Sequence, residues 1–186
     1  MQLTSETRAT TRFTNMPNDN AQPPPYWKLL PEEATQPEEL CSCPDAPPLK
    51  LMTSFSANPI HCMTCNREFP LSRIELSERL FEKIYFWHQV YRSVYYLWLD
   101  SSEYETWATQ QLENPYSYAN QKGLKLLPEL NAHGKFFFLL FSRVHDEDWV
   151  VPTHCPLCQR SLERLPNLGT TTDLACGNCH IVMQSD

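Results

Sequence analysis

The sequence predicts an α+β fold in which two four-cysteine modules bracket a mainly helical insert, behind a Pro-rich N-terminal segment. Three observations carry this. Eight cysteines fall in four close pairs, Cys41/Cys43, Cys62/Cys65, Cys155/Cys158 and Cys176/Cys179. Between the second and third pairs lies an aromatic stretch whose apolar residues recur at spacings of three and four, the repeat of a helix. Nine of the sixteen prolines crowd between Pro17 and Pro48, where apolar residues are sparse. The divisions that follow are a flexible segment over 1–38, a first module over 39–76, the insert over 77–150 and a closing module over 151–186.

Taken in order, the front segment is expected to be extended or disordered until it docks on something. Tyr26-Trp27, after Pro23-Pro24-Pro25, is its natural anchor, on the chain's own body or on a partner. The run NREFPLSRIEL after Cys65 reads as a strand. Ser77 then caps a helix whose core stripe is Leu80, Ile84, Trp87, Tyr91, Tyr95 and Trp98, with Phe81, Tyr85, His88 and Arg92 beside it. Ser102-Glu-Tyr-Glu105 has the form of a capping box opening a second helix through about Leu112. Asn114-Pro115 breaks it, and a third helix is expected from Ser117 to Leu130, with Gly123 and Pro128 working against it. After the turn residues Asn131 to Gly134, the run over 135–142 reads as a short buried strand. The aromatic stripe is read as core, because the charges interleaved with it are mixed or acidic and a base-stacking platform would carry Lys and Arg.

The cysteine spacing carries the chemistry. Seventeen residues separate Cys155-Pro-Leu-Cys158 from Cys176-Gly-Asn-Cys179, within the window of a zinc ribbon. Each pair can sit on a tight turn that aims both sulfurs at one tetrahedral ion, and Gly177 and Asn178 suit a left-handed position in such a turn. Upstream, Cys41-Ser-Cys43 is followed after eighteen residues by Cys62-Met-Thr-Cys65. The shorter first pair leaves His61 as a rival ligand, since it precedes Cys62 as His154 precedes Cys155. Pairing Cys62/Cys65 with a distal pair would strand Cys41 and Cys43. The reading is two separate four-cysteine sites, each holding one structural Zn2+. All-thiolate shells are closed, whereas a catalytic zinc keeps a position open beside a general base. His180 reads as a flank of Cys179, and His145-Asp-Glu-Asp148 as a solvated acidic loop.

No hydrolase elbow, metalloprotease helix, phosphate loop or dinucleotide fingerprint occurs. The zinc-deaminase signature fails as well, because Pro156 follows Cys155 instead of preceding it. The chain is therefore expected not to be an enzyme. Its formal charge of −7 moves to roughly −11 when two zinc ions are held by eight thiolates. Affinity for nucleic acid rests on neutralising phosphates with Lys and Arg, so this sign argues against it. No apolar run is long enough to span a membrane, and MQLTSETRATTRF lacks the apolar centre of a secretory signal. Eight thiols without an export signal point to a cytoplasmic, reducing setting.

The stretch HCMTCNREFPLSRIEL, the aromatic helical middle, the FFFLLFSR run and the closing HCPLC…ACGNCHIVM resemble a family of bacterial zinc-ribbon proteins usually described as candidate nucleic-acid binders. The likeness covers about Pro59 to Met183. It implies a metal role for Cys62, Cys65, Cys155, Cys158, Cys176 and Cys179. In general character, acidic and metal-stapled, the chain is also similar to bacterial toxin-immunity proteins. The expected function is a non-enzymatic interaction module that masks a protein with a basic surface, such as a nuclease toxin, because complementary charge speeds encounter and fixes register. Candidate partner contacts are Glu103, Glu105, Asp146, Glu147 and Asp148. The alternative is a nucleic-acid-binding zinc ribbon.

Overall fold

The computed structural model describes residues 22–53, 56–144, 146–147, 149–164 and 173–185. Two hairpin ribbons, each carrying cysteines, are joined into one six-stranded sheet by a strand from the helical region. The first ribbon is β1 (Leu49–Leu51) and β2 (Ile60–Cys62), antiparallel. The second is β4 (Glu163–Arg164), β5 (Leu174–Cys176) and β6 (Ile181–Met183), also antiparallel. Between them lies β3 (Phe136–Leu139), parallel to β1 on one side and to β6 on the other, giving the order β2-β1-β3-β6-β5-β4.

A strand with parallel neighbours on both edges is covered on both faces and so reads as an unbroken apolar run. Phe136, Phe137 and Phe138 are all buried. Because side chains alternate across a strand, they serve two cores. Phe136 and Phe138 join the main core under the helices, while Phe137 packs with Met63, Ala175 and Val182 on the other face. Lys50, opposite Phe137 in register, is 2% exposed, and its Nζ lies 2.8 Å from Oδ2 of Asp173, itself 7% exposed. This buried ion pair ties the first ribbon to the second.

The helices are α1 (Glu78–Asp100), α2 (Glu105–Glu113), α3 (Tyr118–Leu124) and α4 (Leu127–Leu130). Ser77 caps α1, its hydroxyl accepting from the Leu80 N–H, so the expected start is the observed one. Leu80, Phe81, Ile84, Trp87, His88, Tyr91 and Val94 are buried, with Trp87 and Tyr91 edge-on or tilted against one another and against Phe138 at 5.5–6.0 Å. The capping box fails. Ser102 has φ 54 and closes a turn, and α2 begins at Glu105 without a side-chain cap. The expected third helix is two, since Pro128 stands in the first turn of a separate α4. Asn120, fully buried in α3, donates to the carbonyls of Gln111, Leu112 and Asn114 and so closes the end of α2. A Cβ on Gly123 would stand 2.1 Å from the Phe138 ring and 2.7 Å from Nε1 of Trp87. Only glycine lets α3 approach this closely.

One further expectation is corrected. The run after Cys65 forms no strand. Glu68 makes isolated bridges to Leu40 and His61, and Pro70 then opens a 3₁₀ turn over Leu71–Arg73. The front segment docks on the chain's own body around Tyr26 to Leu29, one of the two anchorages expected of it, while most of residues 22–38 stay exposed. Tyr26 meets Phe81 edge-on at 5.5 Å, Leu29 is fully buried, and Lys28 pairs with Glu82. The part of that expectation over 1–21 lies outside the described residues. Among the described residues, no helix is long and apolar enough to cross a membrane.

Candidate metal centres

The sheet brings the eight cysteines together in two groups of four. Cys41, Cys43, Cys62 and Cys65 form one, Cys155, Cys158, Cys176 and Cys179 the other, and within each group the sulfurs all lie within 4.8 Å of one another. Tetrahedral ligation at about 2.3 Å sets neighbouring sulfurs about 3.8 Å apart. The separations Cys43–Cys62 and Cys158–Cys176 are 3.9 and 3.6 Å. In each group two thiols are buried and two are partly exposed. His61 is not a member of either group. Its Nδ1 lies 3.4 Å from the Asn66 carbonyl oxygen, and the rival ligand set is not the one assembled.

The backbone explains the congruence of the turns. The Cys62 N–H donates to the Arg67 carbonyl and the Asn66 N–H to the Cys62 carbonyl; Cys155 with Arg160, and Gln159 with Cys155, repeat both bonds at 2.8–2.9 Å. The residue after each second cysteine of a C-x-x-C is left-handed: Asn66 at φ 58, Gln159 at 59 and His180 at 52. That corrects the placement expected at Gly177 and Asn178. His180 thus reverses the chain into β6, its ring 5.7 Å from Phe137. The C-x-C lacks room for such a turn and is held from outside. Arg73 donates to the carbonyls of Cys41, Cys43 and Asp45, with its guanidinium 4.8 Å from the Phe69 ring.

Burial pushes the Cys41 and Cys179 thiols up to about 12, whereas the backbone N–H of Arg160 draws Cys158 down to about 7. Four thiolates cannot crowd into this volume without a cation to offset their repulsion. Four sulfurs, no oxygen and tetrahedral spacing fit a borderline-soft divalent ion in a closed shell. Each group could hold one metal ion, and the arrangement offers no open position for substrate.

The acidic candidates do not form one patch. Glu103 and Glu105 are exposed at the start of α2. Asp146 and Glu147 are exposed near its other end, about 12 Å away along the helix. There Arg143 joins Glu113 at 2.8 Å to Asp146 at 2.6 Å, so Asp146 is already engaged in an ion pair. Asp148 lies outside the described residues. A more concentrated acidic feature stands beside the first cysteine group. An open cleft of about 670 Å3 is lined by Glu33, Glu38, Glu39 and Glu68, with Arg67 and His61. Its sequence signal is the repeat Pro31-Glu32-Glu33 and Pro37-Glu38-Glu39, hidden in a segment expected to be flexible. Compared with protein-family models, curated proteins and solved structures, the chain matches none.

Proposed function

We propose that the chain is a non-enzymatic cytoplasmic interaction module, stapled by two structural zinc ions, that masks a protein with a basic surface. Nuclease toxins, whose nucleic-acid-binding faces are basic, are the partner class this suits, which would make the chain an immunity or antitoxin-type inhibitor. The observation that carries the reading is the cleft lined by Glu33, Glu38, Glu39 and Glu68 on a chain of net charge −7. Complementary potentials steer encounter and reject partners of the wrong sign. Zinc is favoured over other ions because it takes four thiolates in a tetrahedron and is redox-inert.

The test is affinity purification from the native cell, with the recovered protein identified and nucleic acid measured in the same eluate. A stoichiometric basic protein, lost when Glu38→Lys and Glu39→Lys are introduced together, supports the proposal. Tight binding of DNA or RNA at physiological salt, with no protein partner, sinks it in favour of a nucleic-acid-binding zinc ribbon, as the resemblance to that family implies. That second reading draws on one face where lysines stand among exposed aromatics.

A further inference from the structure

Phe86 and Val90 belong to neither stripe of α1 that the sequence marks as core, yet they are large, apolar and exposed, Phe86 at 59%. With Lys83 and Trp87 they form a row at i, i+3, i+4 and i+7, one continuous face of the helix. Facing this row across a groove of about 460 Å3 are Tyr118, Ala119 and Lys122 of α3, with Lys125 and Leu126 just beyond it. The floor is rigid. Nε1 of Trp87 donates to the Ala119 carbonyl at 3.1 Å, and Gly123 sets how closely the two helices approach. The walls are open: Tyr118 is 66% exposed and Val90 nearly half.

The lining contains three lysines and no carboxylate, in a chain where acids outnumber bases. Lys83 is tied to Glu129 at 2.5 Å. Lys122 lies over the Tyr118 ring at 5.1 Å, and among the described residues neither it nor Lys125 has a carboxylate within ion-pair distance. An apolar trough with uncompensated positive charge at its rim calls for an occupant that is apolar on one side and acidic on the other.

We propose that this groove between α1 and α3 docks a short acidic amphipathic helix of a partner protein. The row from Lys83 to Val90 runs about 10 Å, two helical turns, which matches the i, i+3 or i+4, i+7 anchors by which a helix enters a groove. Two or three apolar anchors would enter between Phe86, Val90 and Tyr118, and carboxylates beside them would meet Lys122 and Lys125. A polyanion is less well served. Two free ammonium groups neutralise few phosphates, and the rest of the chain repels the remainder. This surface is separate from the acidic cleft, and the proposal stands or falls independently of the basic partner.

The experiment selects from a displayed library of peptides of about fourteen residues on the full metal-loaded chain. The best binder is then titrated as a synthetic peptide against the chain and its variants, with backbone amide shifts mapped by NMR. Enriched sequences should carry net negative charge and apolar residues at the stated spacing. Amide shifts should centre on Phe86, Val90 and Lys122. Binding should weaken at least about tenfold on Lys122→Glu with Lys125→Glu, roughly the loss expected when charge pairs at a docking site are reversed, and also when the peptide's acids become lysines. Phe86→Ala should weaken it too, while metal content and circular dichroism stay unchanged because these side chains are exposed. Failure to enrich any such sequence, shifts elsewhere, or affinity indifferent to the variants would overturn the proposal. So would a short oligothymidine that shifts the Phe86 and Tyr118 amides and binds more tightly than every peptide, since the groove would then be a nucleic-acid site.

Discussion

The two cysteine groups contain the same four sulfurs at the same spacing but are supported differently. In the C-terminal group both pairs are C-x-x-C turns closed by their own backbone, with Gln159 and His180 left-handed after the second cysteine. In the N-terminal group only Cys62/Cys65 has that construction. The Cys41-Ser-Cys43 loop is fixed by Arg73, thirty-two residues from Cys41 in sequence, which reaches in to hold three carbonyls. A ligand pair that carries its own turn is a local property of the sequence. One that borrows its rigidity is a property of the fold, and it fails when the fold loosens.

Loss of a ligand gives the largest expected effect. The chain should hold about two zinc ions, and Cys62→Ser or Cys155→Ser should each remove one, at a cost on the order of 10 kcal/mol per site. Because β3 bonds both ribbons, either loss should lower the whole thermal transition and not a part of it. Elemental analysis with calorimetry checks both claims, and two separate transitions would break the picture of a shared sheet. Next is the bridge between the halves. Lys50→Met leaves Asp173 charged and buried, which should cost about 3–5 kcal/mol in chemical denaturation, whereas Lys50→Met with Asp173→Leu should recover most of it.

Acid should distinguish the two sides. Burial, aided by Arg92, holds His88 down at about 4, and burial also lowers His61. A depressed histidine is neutral when folded and takes up its proton more readily when unfolded. Its contribution is therefore complete above about pH 6.5 and is lost as pH falls towards 4, by about 3 kcal/mol for His88. His88→Phe should flatten the wild-type loss of stability between those values, with metal content followed in parallel; an unchanged slope would remove His88 from the account. The smallest effect sharpens the contrast most. Arg73→Lys keeps the charge but loses the fork, so metal affinity should drop about 10–100-fold at the N-terminal group alone. Competition with a chromophoric chelator would show two sites of unequal strength, and equal weakening of both would count against the borrowed support.

How far the sequence could be read follows from the same contrast. Ser77 and the stripe from Leu80 to Trp98 depend on neighbours within a turn or two, and helix α1 is where periodicity places it, although Tyr95 and Trp98 are only half-buried and Val94 is buried in addition. The Phe136–Phe138 run is legible as buried because two parallel neighbours demand apolar residues on both faces. The eight cysteines are legible as ligand pairs because spacing alone brings two sulfurs together. Illegible were contacts made at a distance. The docking of Leu29 depends on a helix about fifty residues away, and Arg73 looks like any surface arginine until its carbonyls are known. Ser102 has the letters of a capping box, but the reversal between α1 and α2 requires a left-handed residue there, and geometry outweighs the cap. The acidic cleft and the lysine groove were hidden for a related reason, since each collects residues from separate segments.

The position of β3 also bears on the order in which the molecule can assemble. Each ribbon draws its ligands from a span of about 25 residues, a short loop to close, so each can capture its ion from nearby chain. The sheet cannot form on that schedule. Leu49 must wait for Phe136, and Phe138 for Ile181, so the slow step is long-range strand pairing across a segment that is otherwise helical. During synthesis the first four cysteines emerge well before the strand that will cover β1, leaving its edge open to wrong pairings in the interval. Early metal capture would shorten the search by delivering a preformed hairpin to which β3 has only to add.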